Sequence, residues 1–321
     1  MAPTAIDPVI VDVVQPKKDK INLPPESRKR LEKAGIDLSN GYPYRPAKPL
    51  YLQDVRKIRD RYREHNDPGA RANRAKSALF SAAKEVIDLT AHIGTEIVGL
   101  QLKDLTDQQK DELGLLIAER SVVFFRDQDI SPQQQRELGE WYGEIEVHDT
   151  VPSIGGDTLW ASGYSAYEKL SPDFRKIIDG KEAVYRSAHP YLDRDDPTAG
   201  PKYLERIHPL VRVHPATGWK ALWVNRAMTV RIVGLDKAES DLILGYLYDI
   251  YEKNVDIQVR FKWTPRTSAL WDNRITIHNA SWDYEGSQPR HGTRVTSLAE
   301  APFFDEHAPT RREALGLAQN D

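Results

Sequence analysis

The sequence contains no cysteine among its 321 residues. Disulfides, zinc–thiolate sites, iron–sulfur clusters and cysteine nucleophiles are therefore excluded. Long apolar runs are also absent, and the first residues lack the basic stretch and apolar core of a signal peptide. We therefore expect a soluble, cytoplasmic protein that does not enter a membrane. The formal net charge of -3 argues against a protein that binds nucleic acid.

Residues 1–80 differ in composition from the rest of the chain. Proline, lysine and arginine are dense there, and only Val55, Ile58 and Tyr62 indicate a short amphipathic helix. This composition predicts a solvated N-terminal extension that partly wraps the main domain. A basic arm that binds an acidic partner is the alternative. We expect the main domain at residues 81–305 and a C-terminal tail at 306–321.

The remaining chain alternates between strand and helix patterns. Residues 86–102 alternate apolar and polar side chains around glycines, which predicts a hairpin. Predicted helices lie at 105–120 with Thr106 as N-cap, at 131–143 with Pro132 in the first turn, and at 238–253. Predicted strands lie at 121–128, 258–265, 269–280 and 292–298. Strands on both sides of a helical middle indicate a mainly β core with helices packed outside it.

The richest chemistry lies in residues 269–298. If 269–280 is one strand, Asp272, Arg274, Thr276 and His278 share a face, and Arg290 and Arg294 share a face on the next strand. Imidazole is a common iron ligand, and guanidinium can clamp a carboxylate with two hydrogen bonds. By spacing alone this signal is weak, because a lone histidine on a strand is more often structural and paired arginines are more often surface charges.

Several separated motifs resemble the taurine dioxygenase (TauD/TfdA) family of Fe(II)- and 2-oxoglutarate-dependent dioxygenases, in particular the fungal type with an N-terminal extension. WDNRITIHNASWDY followed by PRHGTRVT is similar to its C-terminal motif. FFRDQDISPQQQRELGEWYGEIEVH, GGDTLWASGYSAYEKLS and HPLVRVHPATGWKALWVN resemble further family segments in the same order. The resemblance runs from about Val86 to about Phe304.

This resemblance implies a double-stranded β-helix, which is a cupin-like jelly roll with flanking helices. It also implies Fe(II) as the metal, with 2-oxoglutarate and O2 as cosubstrates. By motif, His278 corresponds to an iron ligand, and Arg290 and Thr158 correspond to residues that hold the far carboxylate of 2-oxoglutarate. His148 and Arg294 correspond to residues that contact an anionic substrate.

One part of the family pattern is missing. The family's other two iron ligands form an H-x-D motif between the GEIEVH strand and the GGDT turn, but here Asp149 follows His148 directly. Adjacent strand residues point to opposite faces, so His148 and Asp149 do not replace it. The chain's one H-x-D, His65 to Asp67, lies in the N-terminal extension. Three explanations are open. A segment is omitted from the sequence as written, the natural protein has lost the segment, or the segment was trimmed away. The intact flanks favour omission, which predicts additional residues between His148 and Asp149.

The resemblance implies oxidation of an unactivated C–H bond with release of succinate and carbon dioxide. The expected substrate is a small organic anion, such as a sulfonate, a sulfate ester, a carboxylate or an amino acid. Other copies of the same chain are further expected partners. A non-catalytic relative that binds ligands is the alternative if the H-x-D segment is truly absent. An interaction protein that works through its basic extension is another.

Overall fold

The computed structural model describes Lys29 and residues 51–146, 157–196, 198–281 and 292–317. Lys48–Asp321 forms one compact unit of the chain. In the described ranges, every helix is too short or too polar to cross a bilayer.

Helices and strands follow one another along the compact unit. The helices are α1 Leu52–Arg59, α2 Pro68–Arg71, α3 Ser77–Ala82, α4 Asp107–Arg120, α5 Pro132–Tyr142, α6 Gly163–Glu168, α7 Pro172–Ile178, α8 Lys237–Lys253 and α9 Arg311–Ala314. The strands are β1 Glu85–Asp88, β2 Thr95–Val98, β3 Val122–Phe125, β4 Ile145–Glu146, β5 Thr158–Ser162, β6 Glu182–Arg186, β7 Glu205–Pro209, β8 Val211–Val213, β9 Lys220–Leu222, β10 Thr229–Ile232, β11 Gln258–Phe261, β12 Ser268–Trp271, β13 Thr276–Ala280 and β14 Thr296–Ser297.

The long helices begin where their capping residues predict. The Thr106 side chain accepts a hydrogen bond from the Gln109 backbone and begins α4, and Ser131 caps α5 in the same way. Pro132 occupies the first turn of α5, where its missing N–H leaves no broken hydrogen bond. Asp236 begins α8 with a third reciprocal cap. The predictions for these three helices are confirmed, as is the antiparallel hairpin of β1 and β2.

Two sheets face each other at the centre of the fold. One is a four-stranded sheet in the order β1-β2-β3-β12, and the other has the order β11-β5-β13 and is called here the His278 sheet. Apolar side chains from both sheets fill the space between them, including Phe124 of β3, Trp160 of β5 and Phe261 of β11. The rings of Phe124 and Phe261 stack at 3.8 Å across this interior.

Helices cover the outer faces of both sheets. Ile97, Val123 and Phe125 turn away from the interior and pack with residues of α4. Ala161 and Ile277 on the outer side of the His278 sheet pack with residues of α8. The strand pattern of alternate faces therefore produces one interior between the sheets and two helix-covered cores outside.

Residues 51–82 pack as part of the compact unit. Leu52 of α1 lies in a small core with Tyr191 and Leu204, and α2 and α3 contact α4. The amphipathic helix predicted around Val55 and Ile58 is confirmed, whereas Tyr62 lies beyond its end and is 90% exposed. The boundaries at residues 80 and 305 remain predictions.

The predicted strand at 269–280 is wrong in one respect. Two strands, β12 and β13, are separated by a turn at residues 272–275. Asp272 and Arg274 therefore do not share a strand face with His278. The prediction that Arg294 lies on a strand is also wrong, because β14 begins two residues after it.

Candidate active site

Thr158 and His278 lie on the same face of the His278 sheet. In the antiparallel pairing of β5 and β13, His278 is directly opposite Trp160, and Thr158 is opposite Ala280. Directly opposed residues share a face, and so do residues two apart on one strand. Trp160 packs against Phe124 of the facing sheet, so this face is the one that turns into the interior. Two of the residues named from the sequence are thus brought together.

The His278 imidazole is half-buried beside an aromatic wall. Its ring centre lies 5.1 Å from the Trp271 ring, and Trp271 in turn packs edge-on against Trp160. Burial, together with the positive charge of Arg294, lowers the pKa of His278 from 6.5 to about 4. The side chain is therefore neutral at pH 7, which is the form that binds a metal ion.

Thr158 is buried at the start of β5. Its hydroxyl oxygen accepts a hydrogen bond of 2.9 Å from Nε1 of Trp263. Because the oxygen serves as acceptor in that bond, the hydroxyl hydrogen is left to point elsewhere. Among the described residues it has no other hydrogen-bond partner, so it can donate to a ligand.

Arg294 is exposed and close enough to His278 to act on it electrostatically. In the described part of the chain it forms no hydrogen bond and no ion pair. It precedes β14, which pairs with β4, so the chain before His148 and the segment with Arg294 lie side by side. His148 and Arg290 themselves lie outside the described residues. Because Arg294 has no partner among the described residues, its guanidinium can bind an anion.

The H-x-D in the N-terminal segment has another use. Asp67 accepts a hydrogen bond of 2.6 Å from Arg274, whose guanidinium also contacts Asp272 and Glu300. His65 lies 3.9 Å from Glu300. Arg274, Asp67, Asp272 and Glu300 are called here the Arg274 cluster. Burial opposes the charge on Asp272, but Arg274 outweighs it and holds the pKa of this carboxyl well below its usual range.

The described residues do not complete an iron centre. No group of three histidine, cysteine or acidic residues within them is arranged to hold a metal ion. His278 is the single imidazole that the motif places in the interior, and a facial iron site needs a second histidine and a carboxylate. The described residues therefore offer one of the three side chains that the expected iron site needs.

Comparison with known proteins identifies the family. The sequence profile of the family described as "Taurine catabolism dioxygenase TauD, TfdA family" matches residues 85–154 and 148–296. The chain belongs to the TauD/TfdA family. Its members are 2-oxoglutarate-dependent dioxygenases, so the predicted enzyme class is confirmed.

Individual relatives agree with this assignment. The chain is 32% identical to the alpha-ketoglutarate-dependent dioxygenase cnsM of Penicillium expansum, covering 75% of this chain and 85% of that protein. It is 31% identical to the alpha-ketoglutarate-dependent sulfonate dioxygenase of Saccharomyces cerevisiae, covering 76% and 75%. A solved taurine dioxygenase from Burkholderia xenovorans superposes with a TM-score of 0.60 at 29% identity, covering 69% of this chain and 91% of that one. The predicted jelly roll is confirmed.

The matches also locate an interruption. The two matched stretches meet at residues 148–154, where the H-x-D segment was expected. The Penicillium alignment runs over 305 residues, yet 75% of this 321-residue chain is about 241 residues. The yeast alignment runs over 309 residues, of which this chain supplies 76%, about 244. In each alignment roughly 65 positions therefore have no residue in this chain.

The sequence pattern did not single out Trp160 or the aromatic wall beside His278. Trp160 follows Thr158 by two residues, so strand alternation alone puts both side chains on one face. That signal was present in GGDTLWAS. The importance of Trp160 depends on its cross-strand pairing with His278, and only the folded sheet reveals that pairing.

Proposed function

We propose that the protein is a 2-oxoglutarate-dependent dioxygenase that oxidises an unactivated C–H bond of a small organic anion. The shared interior face of Thr158 and His278 is the observation that carries this proposal. A neutral imidazole and a hydroxyl donor lie beside each other there, as a metal ligand and a cosubstrate contact require. Succinate and carbon dioxide are the expected coproducts.

The proposed substrate is an anion because of Arg294. Its guanidinium has no ion-pair partner among the described residues and lies at the rim near His278. The yeast relative is named a sulfonate dioxygenase, which supports a sulfonate as the first class to test. Sulfate esters, carboxylates and amino acids carry the same charge and form the comparison set.

We further propose that the second histidine and the carboxylate of the iron site belong to a segment between His148 and Asp149. Within the described chain β13 pairs only with β5, so its other edge is open beside His278. Exposed strand edges readily accept a further strand. A segment of roughly 65 residues, the length that the relatives have in excess, is long enough for such a strand. Fe(II), once bound there, would supply the oxidising chemistry.

Succinate formation tests the proposed function. The protein isolated from its source organism should form succinate from 2-oxoglutarate when Fe(II), O2 and the right anion are present. The His278→Ala variant of that protein should form none, although circular dichroism should show an unchanged fold. Full turnover by the variant would exclude His278 as a ligand.

A ligand-binding relative without turnover is the second candidate. The incomplete donor set of the described residues favours it for a chain of these 321 residues alone. In that case 2-oxoglutarate or the anion should bind to the 321-residue protein, but added Fe(II) should neither tighten binding nor give succinate.

A further inference from the structure

The helix α8 carries apolar side chains on two sides. Its inner side, which includes Leu244 and Tyr251, is buried in the core that covers the outer face of the His278 sheet. On its outer side Leu242 is 76% exposed and Tyr246 is 43% exposed. A helix on the surface of a monomer presents polar residues outward, so this outer side has the composition of a contact surface.

A second helix extends this surface. The ring of Tyr246 packs edge-on against the ring of Phe174 in α7, and the two ring centres are 4.8 Å apart. Ile177 follows Phe174 by one turn and is 46% exposed. Leu242, Tyr246, Phe174 and Ile177 are called here the α8 patch. Removing such contiguous apolar groups from water favours association with a protein partner.

Gly245 forms a notch beside the α8 patch. It lies three residues after Leu242 and one before Tyr246, so all three share one side of the helix. Apart from the helix backbone and the adjacent residues, nothing in the described chain lies within 4 Å of a Cβ atom added at Gly245. A side chain from another helix can enter this opening, as ridges enter grooves where helices pack. Because knob and notch belong to one helix, the surface is complementary to a second copy of itself.

We propose that two copies of the chain associate through α8, with antiparallel helices and Leu242 of each copy seated on Gly245 of the other. Charge supports this register. It places Lys237 of one copy beside Asp249 of the other, and the two-fold axis repeats that pair at the opposite end of the interface. The side chains of Lys237 and Asp249 are 86% and 39% exposed, so both can reach across.

Sedimentation equilibrium of the 321-residue protein tests the interface. The measured mass should rise with concentration from 36.5 kDa toward twice that value. Leu242→Lys should raise the dissociation constant of the dimer about a hundredfold, because two leucines lose their burial. Gly245→Arg fills the notch and should also prevent association, while the monomer keeps its fold because arginine favours a helix more than glycine does. Tyr62→Lys, which changes a 90% exposed side chain beyond α1, should associate as the wild type does.

A charge exchange tests the register. Lys237→Asp and Asp249→Lys should each raise the dissociation constant about tenfold, since each brings like charges together at both ends of the interface. The double variant restores both pairs and should dimerise as the wild type does. A dimer that persists in Leu242→Lys and Gly245→Arg, or a double variant that stays weak, would overturn the proposed contact. A monomer at every concentration would also overturn it and leave the α8 patch to a different partner.

Discussion

Asp67 and Arg274 are joined by a hydrogen bond of 2.6 Å across 207 residues of sequence. The carboxylate comes from the N-terminal segment, and the guanidinium stands at the turn that leads into β13. Asp67 also caps α2 by accepting from the Gly69 backbone. The aspartate of the chain's one H-x-D is therefore committed to tying the N-terminal segment to the strand that carries His278.

Removing the cation from the Arg274 cluster should destabilise the protein strongly. In Arg274→Met the side chains of Asp67, Asp272 and Glu300, which are 6%, 10% and 19% exposed, face one another without their guanidinium. Breaking a buried ion pair in this way costs about 3–5 kcal/mol. Urea unfolding measures the loss. Arg194→Ala removes the exposed pair with Asp54 and should leave the free energy of unfolding nearly unchanged. Equal losses in both variants would contradict this account of the cluster.

The two arginines of the C-terminal motif should bind different anions. Arg290→Ala should weaken 2-oxoglutarate binding by about 2–5 kcal/mol, the usual effect of removing one partner of a hydrogen-bonded charge pair, and Arg290→Lys should fail nearly as badly. Arg294→Ala should weaken binding of a small sulfonate and spare 2-oxoglutarate. Isothermal titration calorimetry of each variant with 2-oxoglutarate and with the sulfonate measures the two affinities. Arg136→Ala, at an exposed position, is the control. An equal loss of 2-oxoglutarate affinity in Arg290→Ala and Arg294→Ala would place both residues at the cosubstrate.

Thr158 should act through its hydroxyl. Thr158→Val keeps the shape but loses the hydrogen bond from the Trp263 N–H, which costs about 1 kcal/mol of stability. The same variant should bind 2-oxoglutarate more weakly, whereas Thr158→Ser should keep most of both properties. Calorimetry and urea unfolding give the two quantities. Wild-type affinity in Thr158→Val would show that the hydroxyl does not reach the cosubstrate.

Local sequence signals predicted where the helices begin. The turn before β13 and the strand pairing depend on contacts between residues that are far apart in sequence. Thr106 and Pro132 act within one turn of the helix that they begin, so their effect is readable from sequence. The turn at residues 272–275 is different. It is held by Arg274 bonding to Asp67, 207 residues away, and to Glu300, 26 residues away. A strand pattern across that turn could not reveal these partners, and the same holds for the pairing of Trp160 with His278.

Acid should destabilise the fold in part through His208. Burial, aided by the charges of Arg212 and Arg206, lowers the pKa of His208 from 6.5 to about 4. The unfolded chain therefore takes up its proton first, so stability is complete above pH 6.5 and is lost as pH falls toward 4. Solvent around this half-buried ring limits the effect to about 1–2 kcal/mol. Urea unfolding at pH 7 and pH 5 should show a smaller acid loss in His208→Gln than in wild type. The exposed His307→Gln should behave as wild type does; an unchanged acid loss in His208→Gln would refute the assignment.

Intact mass spectrometry of the protein isolated from its source organism tests the central claim most directly. The interrupted family match and the roughly 65 unmatched positions in each relative predict additional residues between His148 and Asp149. At the average residue mass of this chain, they would add about 7 kDa to its 36.5 kDa. Peptide sequencing across this junction should then reveal an H-x-D. A mass of 36.5 kDa, with His148 joined directly to Asp149, would contradict the proposed enzyme and favour the ligand-binding relative.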